Sequence, residues 1–179
     1  MADGVLTDLD NDGSGDGAGN CNGADTMPSV SLLNQYVKDL SVENPSAPGS
    51  FQWDGQPRVD VQFNIGSNAI TAEVHEVELK ITARADLDQG SLYIVELAYC
   101  GLVGIRNLPD EHAHAFLFAE TPRLLFPFAR AAIANAVRDA GFPPLMLDPM
   151  DFGALYQQQL AARAAQQGGG GDMPTLGNA

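Results

Sequence analysis

The chain has 179 residues, which is enough for one domain with tails, and 45% of them are hydrophobic, an ordinary fraction for a globular protein. Its formal net charge is −14, from 23 acidic and 9 basic residues. An acidic surface repels nucleic-acid phosphates and anionic lipid, which argues against nucleic-acid partners and membrane insertion.

Both ends of the chain differ in composition from its middle. The first 27 residues are rich in Gly, Asp and Asn and hold six acids but no Lys or Arg, which predicts a disordered acidic N-terminal tail. Residues 168–179 begin with four consecutive glycines and predict a flexible C-terminal tail. One folded domain is therefore expected over residues 28–167.

The N-terminal sequence and the cysteines bear on localisation. The first residues lack a basic region followed by an apolar stretch, and no apolar run approaches the roughly 18 residues of a membrane span. Cys21 and Cys100 form no CxxC pattern, which favours a reducing compartment. We therefore expect a cytoplasmic protein, and we interpret Cys100 as a buried small hydrophobe.

Four strands are predicted in the first half of the folded region. Residues 30–42 mix apolar and polar side chains and end at a loop rich in Pro, whereas residues 58–65 and 76–84 alternate cleanly. Residues 91–105 are apolar on both faces, so this strand should be covered on both sides, by another subunit if not by this chain. The short connections predict an antiparallel meander with one wet and one dry face.

The second half is predicted to be helical. Thr121 and Pro122 form a plausible N-cap and first-turn pair, and Pro127 lies too deep for an undisturbed helix, which predicts a kink or two segments. Gly141 should end this helix, and Asp151 should cap a last helix reaching about residue 167. Strands followed by helices indicate an α+β fold: a four-stranded antiparallel sheet with two helices, the first one kinked. The apolar stripe of the last helix comprises Phe152, Leu155, Tyr156 and Leu160.

The sequence contains no catalytic pattern, since no nucleophile lies beside a base and no glycine loop could hold a phosphate; we predict no enzyme activity and no cofactor. Residues 8–16 match the start of a calcium loop, but its twelfth position is Gly19 and not a bidentate Glu, so a solvated acidic tail is favoured. His112 and His114 point about 200° apart on a helix, which disfavours a metal site over residues 110–114. An acidic calcium- or metal-dependent module stays open as an alternative.

Three segments carry a recognisable family pattern. They are YVKDLSVENP at residues 36–45, CGLVGI at residues 100–105, and the region from LFPFAR to the LY of the last helix within residues 125–160. In their order and spacing they resemble the SecB family of protein-export chaperones. The resemblance implies an ATP-independent holdase, assembled as a homotetramer (a dimer of dimers). Such a protein binds non-native precursor proteins and passes them to the export motor SecA.

The resemblance also implies two functional surfaces. A surface that contacts SecA would include Asp39, Glu43, Ile94 and Glu96. A substrate groove would lie between the loop at residues 51–57 and the last helix, and its candidate residues are Phe51, Trp53, Phe152 and Tyr156.

The residues alone leave other interpretations of these surfaces open. Asp39 and Glu43 also suit a plain solvated acidic face, and Phe51 and Trp53 also suit a loop folded over the core. Phe152 and Tyr156 have the spacing of core or interface residues. Trp53 stands two places forward of the family's usual position, which bears on the geometry of the groove. A SecB-like chaperone devoted to one client, such as a toxin–antitoxin pair, is the other functional alternative.

Overall fold

A four-stranded antiparallel sheet carries the helices on one of its faces. The computed structural model describes residues 26–168, with side chains described as far as Ala165. The strands are β1 (Ser29–Glu43), β2 (Arg58–Ala69), β3 (Val74–Leu87) and β4 (Gly90–Arg106). The helical elements are α1 (Asp110–Ala115), a π-helical segment (Phe116–Glu120), α2 (Thr121–Asp139) and α3 (Phe152–Gly168).

The strand order in the sheet is β1–β4–β3–β2. The predicted meander is therefore correct for β2, β3 and β4 but wrong for β1, which pairs with β4 along its whole length. Residues 44–57 carry the chain from one edge of the sheet to the other, through a short 3-10 turn at Gly49–Gln52. Because β4 is apolar on both faces, it is better placed inside the sheet between β1 and β3 than at an edge.

The core lies between the sheet and α2. Alternate residues of β3 (Val77, Leu79, Ile81 and Ala83) are completely buried, which confirms the predicted alternation of this strand. Burial of each large apolar side chain contributes about 1.5–3 kcal/mol before entropy losses. Gly101 lets α2 approach the sheet closely, because a Cβ added there would lie 3.0 Å from methyl carbons of Leu125 and Leu32.

The first helix is composite, as predicted, but its irregular turn is the π-helical segment and not Pro127. The α2 element begins at Thr121, but it continues helical structure that starts at Asp110. Thr121 therefore makes no capping hydrogen bond, and the prediction that it is an N-cap is wrong. Pro122 offers no N–H to the preceding turn and its ring crowds that turn, a conflict that a widened π turn relieves. Pro127 is exposed on α2, where water can bond to the carbonyl it leaves free.

The predicted ends of the two helices are confirmed. Gly141 has a φ of +94°, and the amides of Gly141 and Phe142 donate to the carbonyls of Arg138 and Val137, which closes α2 with a Schellman motif. The carboxylate of Asp151 accepts a hydrogen bond from the amide of Ala154 at 2.9 Å and so caps α3.

Candidate functional site

The four residues predicted to contact SecA lie together on the sheet face that carries no helix. In the β1–β4 register Glu43 is opposite Ile94 and Ser41 is opposite Glu96, while Asp39 is opposite Ala98, so all four side chains are on one face. We call this surface the acidic face (Asp39, Glu43, Ile94 and Glu96). Asp39 and Glu43 are exposed and form no ion pair with any residue that the structure describes, whereas Glu96 lies 3.6 Å from the ammonium of Lys80.

A β-bulge places these carboxylates on the open face. The pairing of β1 with β4 shifts by one residue between Val37 and Asp39, so Lys38 is the extra residue. Without it, strict alternation would turn Asp39 and Glu43 toward the helices and Leu40 toward water. The sequence reasoning missed this bulge, although the adjacent polar pair Lys38-Asp39 interrupts the alternation and is the signal that could have revealed it.

A hydrogen-bonded network adjoins the acidic face. The hydroxyl of Tyr36 donates to the carboxylate of Glu76, and the ammonium of Lys38 lies 2.7 Å from Glu76 and 3.4 Å from Glu78. The hydrogen bonds from Lys38 and then Tyr36 hold the pKa of Glu76 below its usual range, while the bond to Glu76 raises the pKa of Tyr36 to about 12. Lys38 is therefore paired with Glu76 and Glu78, and it forms no ion pair with Asp39 or Glu43.

Cys100 lies beneath that network. It is completely buried, as predicted, and burial raises the pKa of its thiol to about 11. Since the thiolate is the reactive form, this cysteine is an inert part of the sheet.

On the opposite face, the crossover between β1 and β2 brings an aromatic side chain to the surface. The ring of Phe51 packs on Phe142 with 5.3 Å between centroids, and Phe142 packs on Tyr93 at 5.2 Å. We call these three rings the aromatic ladder. Phe51 is its outer end and is 52% exposed, whereas Tyr93 is buried. Sequence reasoning identified Phe51 but missed Phe142 and Tyr93, because only the closing turn of α2 and the pairing of β4 bring them to this place.

Two glycines allow this packing. A Cβ at Gly141 would lie 3.0 Å from the ring of Phe51, and one at Gly90 would lie 3.2 Å from the ring of Trp53. Both glycines have positive φ angles, +94° and +149°, which L side chains rarely adopt. Trp53 is half-buried against the main core, so it supports the crossover more than it extends the exposed surface.

The other two predicted groove residues lie on the inner side of α3. Phe152 is 1% exposed and packs edge-on against Phe126 at 5.5 Å, and Tyr156 is 8% exposed and contacts His114. A client would reach them only after a movement of α3, so their place in a groove stays a prediction. Beyond Tyr156, α3 and β2 form the walls of a cleft of about 440 Å³. Its lining residues are Phe63, Asn64, Ile65, Gln159, Ala162 and Arg163.

The possible metal ligands do not form a site in the part of the chain that the structure describes. His112 is exposed, His114 is engaged by Tyr156, and no group of three or more His, Cys, Asp or Glu residues between 26 and 168 could hold a metal ion. The calcium-loop-like segment at residues 8–16 lies outside the described residues. No helix over the described range is long and apolar enough to cross a membrane.

Comparisons with known proteins give a consistent result. Residues 23–163 match the model of the family described as SecB, preprotein translocase subunit SecB. The protein-export protein SecB of Erythrobacter litoralis is 60% identical over 172 residues, which cover 95% of this chain and 94% of that protein. The protein-export protein SecB of Novosphingobium aromaticivorans is 63% identical over 144 residues, 80% of this chain and 83% of that protein.

One solved structure shows a likeness of fold. It is a SecB-like chaperone of Mycobacterium tuberculosis in complex with a ChAD peptide from an antitoxin, with a TM-score of 0.57 over 68% of this chain and 90% of that chain. The two sequences are only 16% identical, so the likeness concerns the fold alone.

Proposed function

The chain belongs to the SecB family of protein-export chaperones, which are not enzymes, and we propose that it acts as an ATP-independent holdase. In this proposal it keeps precursor proteins unfolded in the cytoplasm and delivers them to SecA. The observation that carries the proposal is the aromatic ladder, which ends in the exposed ring of Phe51. Such a surface suits a ligand with many apolar side chains and no fixed sequence.

The client site would consist of the crossover and α3, with Phe51, Trp53, Phe152 and Tyr156 as its residues. A holdase must accept many sequences, so it cannot depend on one pattern of hydrogen bonds. Burial of one large apolar client side chain contributes about 1.5–3 kcal/mol before entropy losses, and several such contacts give a useful affinity. Copies of the site on one assembly raise the effective concentration of each site for a long client.

The SecA site would be the acidic face. Asp39 and Glu43 are exposed and unpaired among the described residues, and Ile94 lies directly opposite Glu43 as an apolar contact. Unpaired carboxylates beside an apolar side chain suit a basic partner surface, because charge complementarity steers the encounter while the apolar contact excludes water. Client and motor would then bind opposite faces of one sheet and need not compete.

We propose a homotetramer, built as a dimer of dimers. β1 is an edge strand of the described sheet and exposes Leu33, Val37 and Leu40, while α2 exposes Leu124 and Phe128. Edge strands with apolar side chains pair readily, and exposed apolar patches mark interfaces. Two such surfaces suit two kinds of two-fold contact. Multi-angle light scattering should give four times the chain mass of 18.9 kDa; a monomer at working concentration would contradict this proposal.

The alternative of a chaperone devoted to one toxin–antitoxin pair rests on a likeness at 16% identity, which concerns the fold alone. The relatives with 60% and 63% identity are export proteins.

Size-exclusion chromatography tests the proposed function. A chemically unfolded precursor is diluted into this protein without nucleotide. One portion of the complex is probed with protease, and another portion is mixed with SecA. The proposal predicts co-elution of a protease-sensitive precursor and a further shift on addition of SecA. Separate elution of precursor and chaperone would contradict it.

A further inference from the structure

One polar contact ties α3 to the composite first helix. The hydroxyl of Tyr156 and Nδ1 of His114 lie 2.8 Å apart, and the hydroxyl donates when Nδ1 carries no proton. Among the side chains that the structure describes, this is the one hydrogen bond between α3 and another helix or strand. The imidazole also contacts two aromatic rings, since it stacks on Phe118 at 4.5 Å and lies 5.5 Å from the Tyr156 ring.

Tyr156 marks the boundary between an anchored and a free half of α3. Before it, Phe152 is buried against Phe126, and Asp151 caps the first turn. After it, all described side chains of α3, residues 157–165, are exposed. The cleft of about 440 Å³ between α3 and β2 begins at this second half. A small rotation of α3 about its anchored turn would therefore widen or narrow the cleft.

We propose that the Tyr156–His114 hydrogen bond holds α3 over this cleft and thereby sets the rate at which a bound client is released. This inference rests on the proposed function, because α3 is a wall both of this cleft and of the predicted groove between the crossover and the last helix. Tyr156 is buried in the folded protein, so within the proposed client site it is a positioning residue, as is its partner His114; both act on the client through the placement of α3 and not by direct contact.

The contact can be removed without disturbing the packing around it. Tyr156→Phe keeps the ring that packs on His114 and removes only the hydroxyl. His114 also lines a separate open cavity of about 450 Å³, beside His75 and Arg106, so water can reach the imidazole left without its partner. Tyr156→Phe then removes the free energy of one ordinary hydrogen bond, which corresponds to a change of about 2- to 12-fold in the equilibrium constant for the opening of α3.

Hydrogen exchange of the full chain without client tests the contact itself. Tyr156→Phe should raise the exchange of the α3 amides about 2- to 12-fold and leave the amides of β3 and β4 unchanged. Tyr99→Phe is the matched control, because Tyr99 is a buried sheet tyrosine whose hydroxyl bonds to no described residue, and it should leave α3 unchanged. Unchanged exchange of α3 in Tyr156→Phe would overturn the proposal.

A double-mutant comparison separates the hydrogen bond from a general loss of packing. In a His114→Phe background the hydroxyl has no partner, so adding Tyr156→Phe should not raise α3 exchange further. Equal increments in both backgrounds would overturn the assignment of the effect to this pair.

Release of a fluorescent unfolded client by Tyr156→Phe then tests the consequence for function. The release rate should rise by the same factor as α3 exchange. An increase in exchange without faster release would overturn the proposal, while continued capture of the client would leave the proposed holdase function standing. Failure of the wild-type protein to capture the client would instead remove the proposed function, and with it the role assigned here to the contact.

Discussion

Replacement of Phe51 by alanine should weaken client binding by a modest and calculable amount. The Phe51 ring is 52% exposed, so a client can bury about half of it, and the other half already packs on Phe142 and over Gly141. Full burial of a phenylalanine side chain contributes about 1.5–3 kcal/mol, so the substitution removes about 0.8–1.5 kcal/mol of client-binding free energy per site. This corresponds to a rise in Kd of about 4- to 12-fold.

Fluorescence anisotropy of a labelled, permanently unfolded client measures this change. The control is Ile70→Ala, which removes an apolar side chain that is 60% exposed at the tip of the β2–β3 hairpin, away from the aromatic ladder. The control should bind like the wild type. An unchanged Kd for Phe51→Ala would refute the assignment of the client surface. A loss of more than about 100-fold with an intact fold would refute the argument that no single contact dominates.

Three further predictions concern the acidic face, its neighbouring network and the end of α2. Asp39→Asn, Glu43→Gln and Glu96→Gln should each weaken SecA binding about 2- to 5-fold in low salt and leave client capture intact, as titration calorimetry can show. The folded-state pKa of Glu76 lies below the ordinary 4.5. The stability that the Glu76 carboxylate contributes is therefore present above pH 4.5 and is lost as the pH falls through the folded-state pKa. The difference in Tm between the wild type and Glu76→Gln should shrink on acidification. Gly141→Ala, at a φ of +94°, should lower the free energy of unfolding by about 1–2 kcal/mol in denaturant titrations.

Each of these predictions has a matched control. Asp60→Asn removes an exposed acid of β2 outside the acidic face, and equal weakening by this change would point to net charge instead of a specific surface. Glu73→Gln removes a surface carboxylate paired with Arg106 and should give a smaller pH-dependent difference than Glu76→Gln. Gly66→Ala adds a methyl group to open space in β2, and a loss as large as that of Gly141→Ala would contradict the argument from backbone conformation.

The sequence predicted those parts of the fold that local patterns govern. Strict alternation in β3 follows from the side-chain period of a strand, and Gly141 and Asp151 end and begin their helices for equally local reasons. The pairing of β1 with β4 depends on a long crossover, and local patterns carry no information about where such a connection leads. The π turn before Pro122 likewise reflects tertiary packing of a helix that begins earlier than its proline pattern indicates.

The candidate site was predictable only in part. The resemblance identified Asp39 and Glu43, but it is the bulge at Lys38 that turns them to the open face, and a bulge is set by the pairing of two strands. Phe51 stood out as an aromatic residue in a loop, whereas Phe142 and Tyr93 became part of the same surface only through tertiary contacts. The Tyr156–His114 contact joins residues 42 positions apart and has no signature in the sequence.

Light scattering of an aggregating client tests the central claim most directly. A chemically unfolded model protein is diluted into buffer with and without this protein, in the absence of any nucleotide. An ATP-independent holdase predicts that aggregation is suppressed at a near-stoichiometric ratio of assembly to client, and that Phe51→Ala requires a higher concentration for the same effect. Undiminished aggregation in the presence of the folded wild-type protein would contradict the account.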